Sequence, residues 1–353
     1  MRAVERADVV VLGLGPAGAS AAAEAARAGA RVIAVDRKHE AGRPVQCAEF
    51  VPAIVGIDVG DLAASTRQRI RSMLTFVERD APDVKANFPG HMLDRAAFDA
   101  ALVDRAEAAG AACRFGTAVR RIHRDGAVEL ADGQRLAADV IVGADGPRSA
   151  AGRAIGQVNA ALVETRQITV PLARRHDATD IYLSADIPGG YGWLFPKGDL
   201  ANLGAGVDPP FKRRLKDIVG RLHASLVERG QVEARVLGLT GGLIPVGGML
   251  KPAGTLGDTL VLLAGDAAGL TNPVTGAGIA AAVHSGRLAG QAAAAQLAGD
   301  RAAGEAYEAE LDDVFRAALD RAVRRRRELA ARRSPDRAAL RRGWIAYPEY
   351  WTT

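Results

Sequence analysis

The stretch DVVVLGLGPAGASAAAEAARAGARVIAVDR, residues 8–37, decides the fold. It opens on an apolar run of strand length at 8–12 and turns through Gly13-Leu14-Gly15-Pro16-Ala17-Gly18 into an alanine-rich helix. It closes with a second strand at 31–35, ended by Asp36. That is a βαβ unit. Gly13 permits the tight turn, Gly15 lets a pyrophosphate approach the backbone, and Gly18 allows close helix–strand packing. The helix N-terminus offers free N–H groups and the positive end of its dipole to phosphate. Asp36 stands where a carboxylate can take a ribose hydroxyl. A lone GxGxxG is weak evidence, and its plain alternative is a structural glycine turn. Here strand, helix and terminal acid all fall in the required context, which points to a bound dinucleotide.

Two later segments, DVIVGADGPRS at 139–149 and DTLVLLAGDAAGLTNPVTGAGIAAAV at 258–283, choose which dinucleotide. In the second, a strand at 260–264 ends in Gly265-Asp266, and a Gly/Pro/Asn-rich stretch leads through Gly276 and Gly278 into a helix of small residues beginning near Ile279. Such a turn sets a second helix N-terminus and one carboxylate beside the first site. A nicotinamide domain has no use for them. A long, bent flavin dinucleotide does, because its ribityl chain needs a hydroxyl acceptor and its pyrimidine ring needs N–H donors. The chain resembles the flavoprotein group that includes para-hydroxybenzoate-type hydroxylases, flavin-dependent halogenases and geranylgeranyl reductases, which carry this GxGxxG, an intermediate DG motif and a late GD motif. Asp145-Gly146 matches the DG and Gly265-Asp266 the GD. The resemblance spans about residues 8–299. It implies FAD as cofactor and no metal, with cofactor contacts from Gly13, Gly15, Pro16, Ala17, Gly18, Asp36, Arg37, Cys47, Ala48, Arg95, Val119, Asp145, Gly146, Gly265, Asp266, Gly276, Gly278 and Ile279.

Within that group, GRPVQCAE at 42–49 resembles the PV-x-C-(A/G)-E loop of geranylgeranyl reductases, and GYGWLFPKG at 190–198 resembles their YxWxFPKG strand. The resemblance implies that Cys47 lies beside the flavin ring, with Cys47, Tyr191 and Trp193 catalytic. It also implies that Tyr191, Trp193, Phe195 and Pro273 border the cavity where an isoprenoid chain lies on the ring. An apolar substrate stacked with water excluded suits hydride addition to an alkene. Plainer readings stand beside these. Cys47 could be a small buried hydrophobe, Trp193 and Phe195 could fill a core, and the Tyr191 hydroxyl could be structural rather than a proton donor. Lys197 sits in a Pro-Lys-Gly turn and reads as a turn or surface residue rather than a halogenase lysine. Three other activities share the frame. A hydroxylase would consume oxygen against an aromatic substrate, and the PV-x-C-A-E loop argues against it. A halogenase would carry WxWxIP, which is absent. A non-catalytic flavin-binding electron-transfer partner is the third.

The expected architecture is α/β: a Rossmann-like FAD-binding domain of the glutathione-reductase/para-hydroxybenzoate-hydroxylase type, with an inserted antiparallel β-sheet substrate domain and a C-terminal helical segment. Residues 1–50, 90–154 and 250–299 are assigned to the first, 51–89 and 155–249 to the second, and 300–353 to the third. Hairpin signals at Asp125-Gly126 and Asp132-Gly133 lie in the first, and an amphipathic helix is expected at 95–109. Strands are expected at 167–172, 181–186, 191–195 and 200–207, with a helix at 211–229 and a further helical run from about 299 to 333.

A chain of 353 residues with 48% hydrophobic content can bury two cores. Its 40 glycines, many alanines and only 5% aromatics suggest a GC-rich bacterial gene. Two cysteines, Cys47 and Cys113, make no disulfide framework. Residues 1–12 run straight into the first strand without a leader, so a cytoplasmic protein is expected. Ten arginines against Glu328 and Asp336 at 321–342 hold more positive charge than the whole chain's net of +5. Nucleic-acid binding would want aromatic stacking residues among them or a recognisable fold, and the run contains neither. A solvated helix face is one reading; peripheral contact with an anionic bilayer or a redox partner is the other. The implied partners are an apolar or lipid substrate and an electron donor, NAD(P)H or a redox protein. The tail WIAYPEYW at 344–351 carries four aromatics in an aromatic-poor chain and is expected to fold back on the body or close a cavity. Family members run longer at the C-terminus, which leaves a long prenyl-lipid substrate open.

Overall fold

The computed structural model describes residues 4–53, 62–332 and 334–352; residues 54–61 of the expected substrate segment and residue 333 of the basic run lie outside them. The longest apolar runs of the chain meet in one sheet. Its strands lie in the order Ala253–Leu256, Thr259–Leu263, Val140–Gly143, Val9–Leu12, Val32–Val35, Ala112–Arg114. Every pair is parallel except the first, which is a hairpin. Helices Pro16–Arg27 and Ile279–Leu297 pack against the sheet, and Val128, Leu130 and Leu136 of a smaller four-stranded sheet are buried in the same core. Strands such as Val9–Leu12 and Val140–Gly143 are therefore buried at every position and read as apolar runs rather than as an alternation.

Helix Pro16–Arg27 starts on the glycine turn and lies against helix Ile279–Leu297. The approach is set by missing side chains: a Cβ on Gly286 would stand 2.1 Å from the Ala17 carbonyl oxygen, and one on Gly290 2.6 Å from that of Ala21. Gly13 has φ 94°, and a Cβ there would lie 2.4 Å from the Ala144 oxygen. The turn after the first strand is therefore pressed onto the end of Val140–Gly143.

A second, larger sheet runs Gly238–Thr240, Leu162–Pro171, Leu200–Val207, Gly192–Lys197, Ala178–Leu183, Ser72–Val77, Asp83–Lys85, with Leu243–Pro245 also paired to Leu162–Pro171. It is antiparallel except where Ser72–Val77 joins Ala178–Leu183 in parallel. Successive side chains point to opposite faces. Leu194 and Leu203 pack with Ile218 and Val219 of helix Leu215–Glu228, whereas Trp193 and Phe195 face a separate cluster with Phe50, Met92 and Ile181.

Several expected elements differ in extent. The expected strand at 167–172 is the longer Leu162–Pro171, and Gly192–Lys197 continues past Phe195 through Pro196. The expected helix at 211–229 starts with a tight 3-10 turn at Pro209–Arg214, whose two prolines lead it in, and becomes regular at Leu215. The expected run after Gly299 is broken into Ala303–Leu311, a widened turn at Asp312–Arg316, and Ala317–Ala330. Two short helices, Arg337–Arg342 and Pro348–Trp351, carry the aromatic tail back onto the larger sheet.

Candidate active site

The first helix begins at Gly15 with no side-chain cap, and nothing lies within 4 Å of where a Gly15 Cβ would stand. Open space thus fronts unpaired N–H groups. Asp36 closes the far side: one of its carboxylate oxygens accepts the Leu14 N–H and the other the Lys38 N–H, each at 2.8 Å. That fixes the carboxylate beside the glycine turn, at the end of Val32–Val35. Arg37 is exposed. The Thr117 N–H donates to the Asp36 carbonyl at 2.8 Å, two residues before strand Val119–Ile122.

Helix Ile279–Leu297 likewise starts without a side-chain cap, at Gly278. Its approach loop is held by Asn272, whose side-chain oxygen accepts the Val274 and Thr275 N–H groups, each at 3.0 Å; Pro273 between them is buried. The Thr271 hydroxyl donates to Asp266 at 2.5 Å. Burial pushes the Asp266 pKa up, while Thr271 and the Arg95 charge pull it back. The DG turn is tied to the same place. Asp145 accepts the Ser149 hydroxyl and the Ala150 N–H, each at 2.5 Å, and so holds its own turn and the short helix after it. Gly146 has φ 83° with open space around its Cβ position. Asn159 donates to the carbonyls of Pro147 at 3.2 Å and Asp266 at 2.9 Å, pinning the DG turn to the GD turn. Two open glycine turns, two uncapped helix starts and a placed carboxylate at each end fit a bent dinucleotide such as FAD.

Between these turns stands Arg95. Its guanidinium makes a bidentate pair with Asp99 at 3.0 and 3.1 Å and reaches the Cys47 sulfur. Burial opposes the charge, but Asp99 and Cys47 outweigh it and raise the arginine pKa above its ordinary value. Cys47 also lies close to Tyr191, whose hydroxyl donates to the Thr275 carbonyl at 2.6 Å. Burial, with Cys47 adding to it, pushes that phenol well above its ordinary range, so it keeps its proton. The Cys47 loop, the GD loop and the aromatic strand, far apart in sequence, converge here.

The loop itself is pinned at successive carbonyls. Val45 accepts from the Thr240 hydroxyl at 2.8 Å, Cys47 from the Gln167 amide at 3.1 Å, and Ala48 from the Asn202 amide at 3.3 Å. Glu49 is 3% exposed and held at φ 68°. Its carboxylate takes Lys197 Nζ at 2.6 Å, Asn202 Nδ2 at 2.9 Å and the Arg95 N–H at 3.1 Å. Lys197 is therefore not the turn or surface residue expected from its Pro-Lys-Gly context. It is the counter-charge of a buried glutamate and bolts the aromatic strand to the Cys47 loop. Glu49, Asn159, Gln167 and Asn202 were not among the expected site residues; Glu49 alone had a signal, as the last letter of the Cys47 motif.

Trp193 and Phe195 are each 6% exposed, and their rings are 6.4 Å apart. The Trp193 indole N–H donates to Gln167 at 3.0 Å, and its ring lies over Gly204, where a Cβ would sit 2.4 Å away. Tyr191 stands 5.8 Å from Trp193 and 4.8 Å from Trp344 of the tail, centroid to centroid. The aromatic face is thus covered by the chain's own C-terminus. The basic run does the fastening: Arg325, 1% exposed, pairs with Glu328 at 2.9 Å and donates to the Tyr350 carbonyl at 3.0 Å. Arg337 and Arg341 reach Asp80 and Asp83 at 2.8 and 3.2 Å.

Residues 8–149 match the FAD dependent oxidoreductase family, and residues 162–243 match the geranylgeranyl reductase catalytic domain. A digeranylgeranylglycerophospholipid reductase of Methanopyrus kandleri is 35% identical over 89% of this chain and 89% of its own length. The chain belongs to the geranylgeranyl reductase family. A Methanosarcina acetivorans family member, also named digeranylgeranylglycerophospholipid reductase, is 33% identical over 81% of this chain and 74% of its own. A geranylgeranyl bacteriochlorophyll reductase-like structure from Thermoplasma acidophilum superposes with a TM-score of 0.84 at 25% identity, covering 96% of this chain and 90% of the other. This family member is an FAD-dependent oxidoreductase on the fold shared by the para-hydroxybenzoate hydroxylases and geranylgeranyl reductases. Among the described residues no helix is long and apolar enough to cross a membrane.

Proposed function

We propose that this flavoprotein reduces C=C bonds in the isoprenoid chain of a lipid. The observation that carries the reading is the meeting of Cys47, Arg95 and Asp266 with the face of Tyr191, Trp193 and Phe195. When bound and reduced, FAD supplies the hydride for one alkene carbon. The other carbon then needs a proton. In this reading Tyr191, which burial keeps protonated, is the donor, releasing the hydrogen bond that its hydroxyl gives to the Thr275 carbonyl. Arg95 holds a fixed positive charge beside Cys47 and the dinucleotide turns, and the aromatic face excludes water from the apolar chain.

In this reading residues 1–50, 90–154 and 250–299 hold FAD through Gly13, Gly15, Gly18, Asp36, Gly146, Asp266 and Gly278. Residues 51–89 and 155–249 hold the substrate, and 300–353 closes over it. Among the described residues one full nucleotide-binding βαβ unit is present, so in this reading a nicotinamide donor binds transiently or a redox protein supplies the electrons. Both thiols are free, which favours a reducing cytoplasm, and the enzyme meets its lipid by touching the membrane surface. The test is product mass. FAD-loaded enzyme reduced under anaerobic conditions is given digeranylgeranylglycerophospholipid, and each turnover adds two hydrogens per bond reduced. An unchanged lipid mass with flavin left reduced contradicts the reading.

A further inference from the structure

A groove of about 390 Å³ lies on the outer edge of the larger sheet, where strand Gly238–Thr240 meets the turn Pro209–Arg214 and the start of the following helix. Arg166, Lys212, Arg213 and Lys216 line it beside Leu239. Glu164 answers Lys212 at 4.0 Å, so the groove keeps a surplus of positive charge. Its apolar rim is equally unusual. Leu239 on the edge strand is 59% exposed, Leu237 and Val236 just before that strand are 48% and 49% exposed, and Phe211 before Lys212 is 37% exposed. Exposed aliphatic side chains on and beside an edge strand are a liability that proteins generally blunt with charge or cover. Cations set among exposed aliphatic side chains are what a surface needs to enter the headgroup layer of an anionic bilayer.

By contrast, the arginines of 321–342 are largely spent on holding the tail. Arg325 pairs with Glu328, Arg326 with Asp208, Arg337 with Asp80 and Arg341 with Asp83. The edge groove is also tied to the site, since the Thr240 hydroxyl holds the Val45 carbonyl two residues before Cys47.

We propose that this groove and its apolar rim dock the enzyme on an anionic phospholipid bilayer, placing the Cys47 loop beside the membrane that supplies the substrate. The purpose, though not the binding, rests on the lipid-substrate reading above. Full-length FAD-loaded protein is sedimented with vesicles of phosphatidylcholine alone or with about one-third phosphatidylglycerol. Binding is expected only to the anionic vesicles and should weaken with salt. The variants Lys212→Gln/Arg213→Gln/Lys216→Gln and Leu237→Asp/Leu239→Asp are each expected to weaken it about tenfold or more, with flavin content unchanged. Arg324→Gln/Arg327→Gln/Arg332→Gln is expected to bind as wild type. No wild-type binding to anionic vesicles, or groove variants that bind as wild type, overturns the proposal. So does a concentration-dependent dimer, abolished by the leucine variant and present without vesicle binding, which assigns the edge to a second copy. Turnover of a short isoprenoid in detergent, measured on the same proteins, reports separately on the reductase reading.

Discussion

At the scale of single residues, the site depends on a buried charge pair. Glu49 sits at φ 68° with its carboxylate almost wholly enclosed, and non-glycine residues hold such backbone only where surroundings over-determine it. Lys197→Met leaves that carboxylate without its counter-charge and is expected to cost about 3–5 kcal/mol in denaturant-measured stability. A loss under about 1 kcal/mol, typical of exposed pairs, would refute the structural role. Cys47→Ala is expected to retain FAD and to lower turnover of the lipid substrate; unchanged turnover removes Cys47 from the chemistry. Asp266 gives a pH test. Its folded-state pKa is raised by burial, so the folded state binds the proton more tightly than the unfolded chain. The stability this contributes is present below the ordinary carboxylate pKa and is lost as pH rises through the folded value. Flavin-free wild type should therefore lose stability relative to Asp266→Asn across that rise, and parallel pH curves for the two would contradict the shift. Cys47, Tyr191, Trp193, Asp36 and Asp266 could be picked from the sequence because each stands in a motif. Asn159, Gln167 and Asn202 could not: the Asn159 bond to Asp266 spans 107 positions, and no local pattern announces such a partner.

At the scale of elements, the dinucleotide frame was readable because each piece has its own local cause. An unbroken apolar run makes a doubly covered parallel strand, glycine makes the turn, and small residues make the helix. What local pattern did not reveal was the helix crossing, set by Gly286 and Gly290 against Ala17 and Ala21. Gly286→Val is expected to force the two helices apart, lowering stability by about 1–3 kcal/mol or more and weakening flavin retention, since both helices begin at the cofactor turns. Full flavin occupancy after gel filtration would contradict that coupling. The Asp312–Arg316 turn and the proline-led start at Pro209 also escaped the periodicity; both lie where an otherwise helical pattern continues while the backbone departs from it.

At the scale of the whole molecule, the aromatic tail links the C-terminus to the aromatic strand. Trp344 is 3% exposed against Tyr191, and the Tyr347 hydroxyl donates to Asp83 at 2.7 Å. Trp344→Ala is expected to cost about 3–5 kcal/mol by cavity formation and to change which chain lengths are reduced. A loss of stability with an unchanged chain-length profile would leave Trp344 as packing alone. The tail's fold-back was legible from its composition, whereas its partners were not, because Tyr191 and Asp83 lie far away in sequence. On the proposed function, this fold delivers hydride to an alkene. The most direct test is stopped-flow spectroscopy of the anaerobically reduced protein, mixed separately with a geranylgeranyl lipid and with oxygen. Flavin reoxidation that is fast with the lipid and slow with oxygen is the expected result; fast reaction with oxygen and none with the lipid would contradict it.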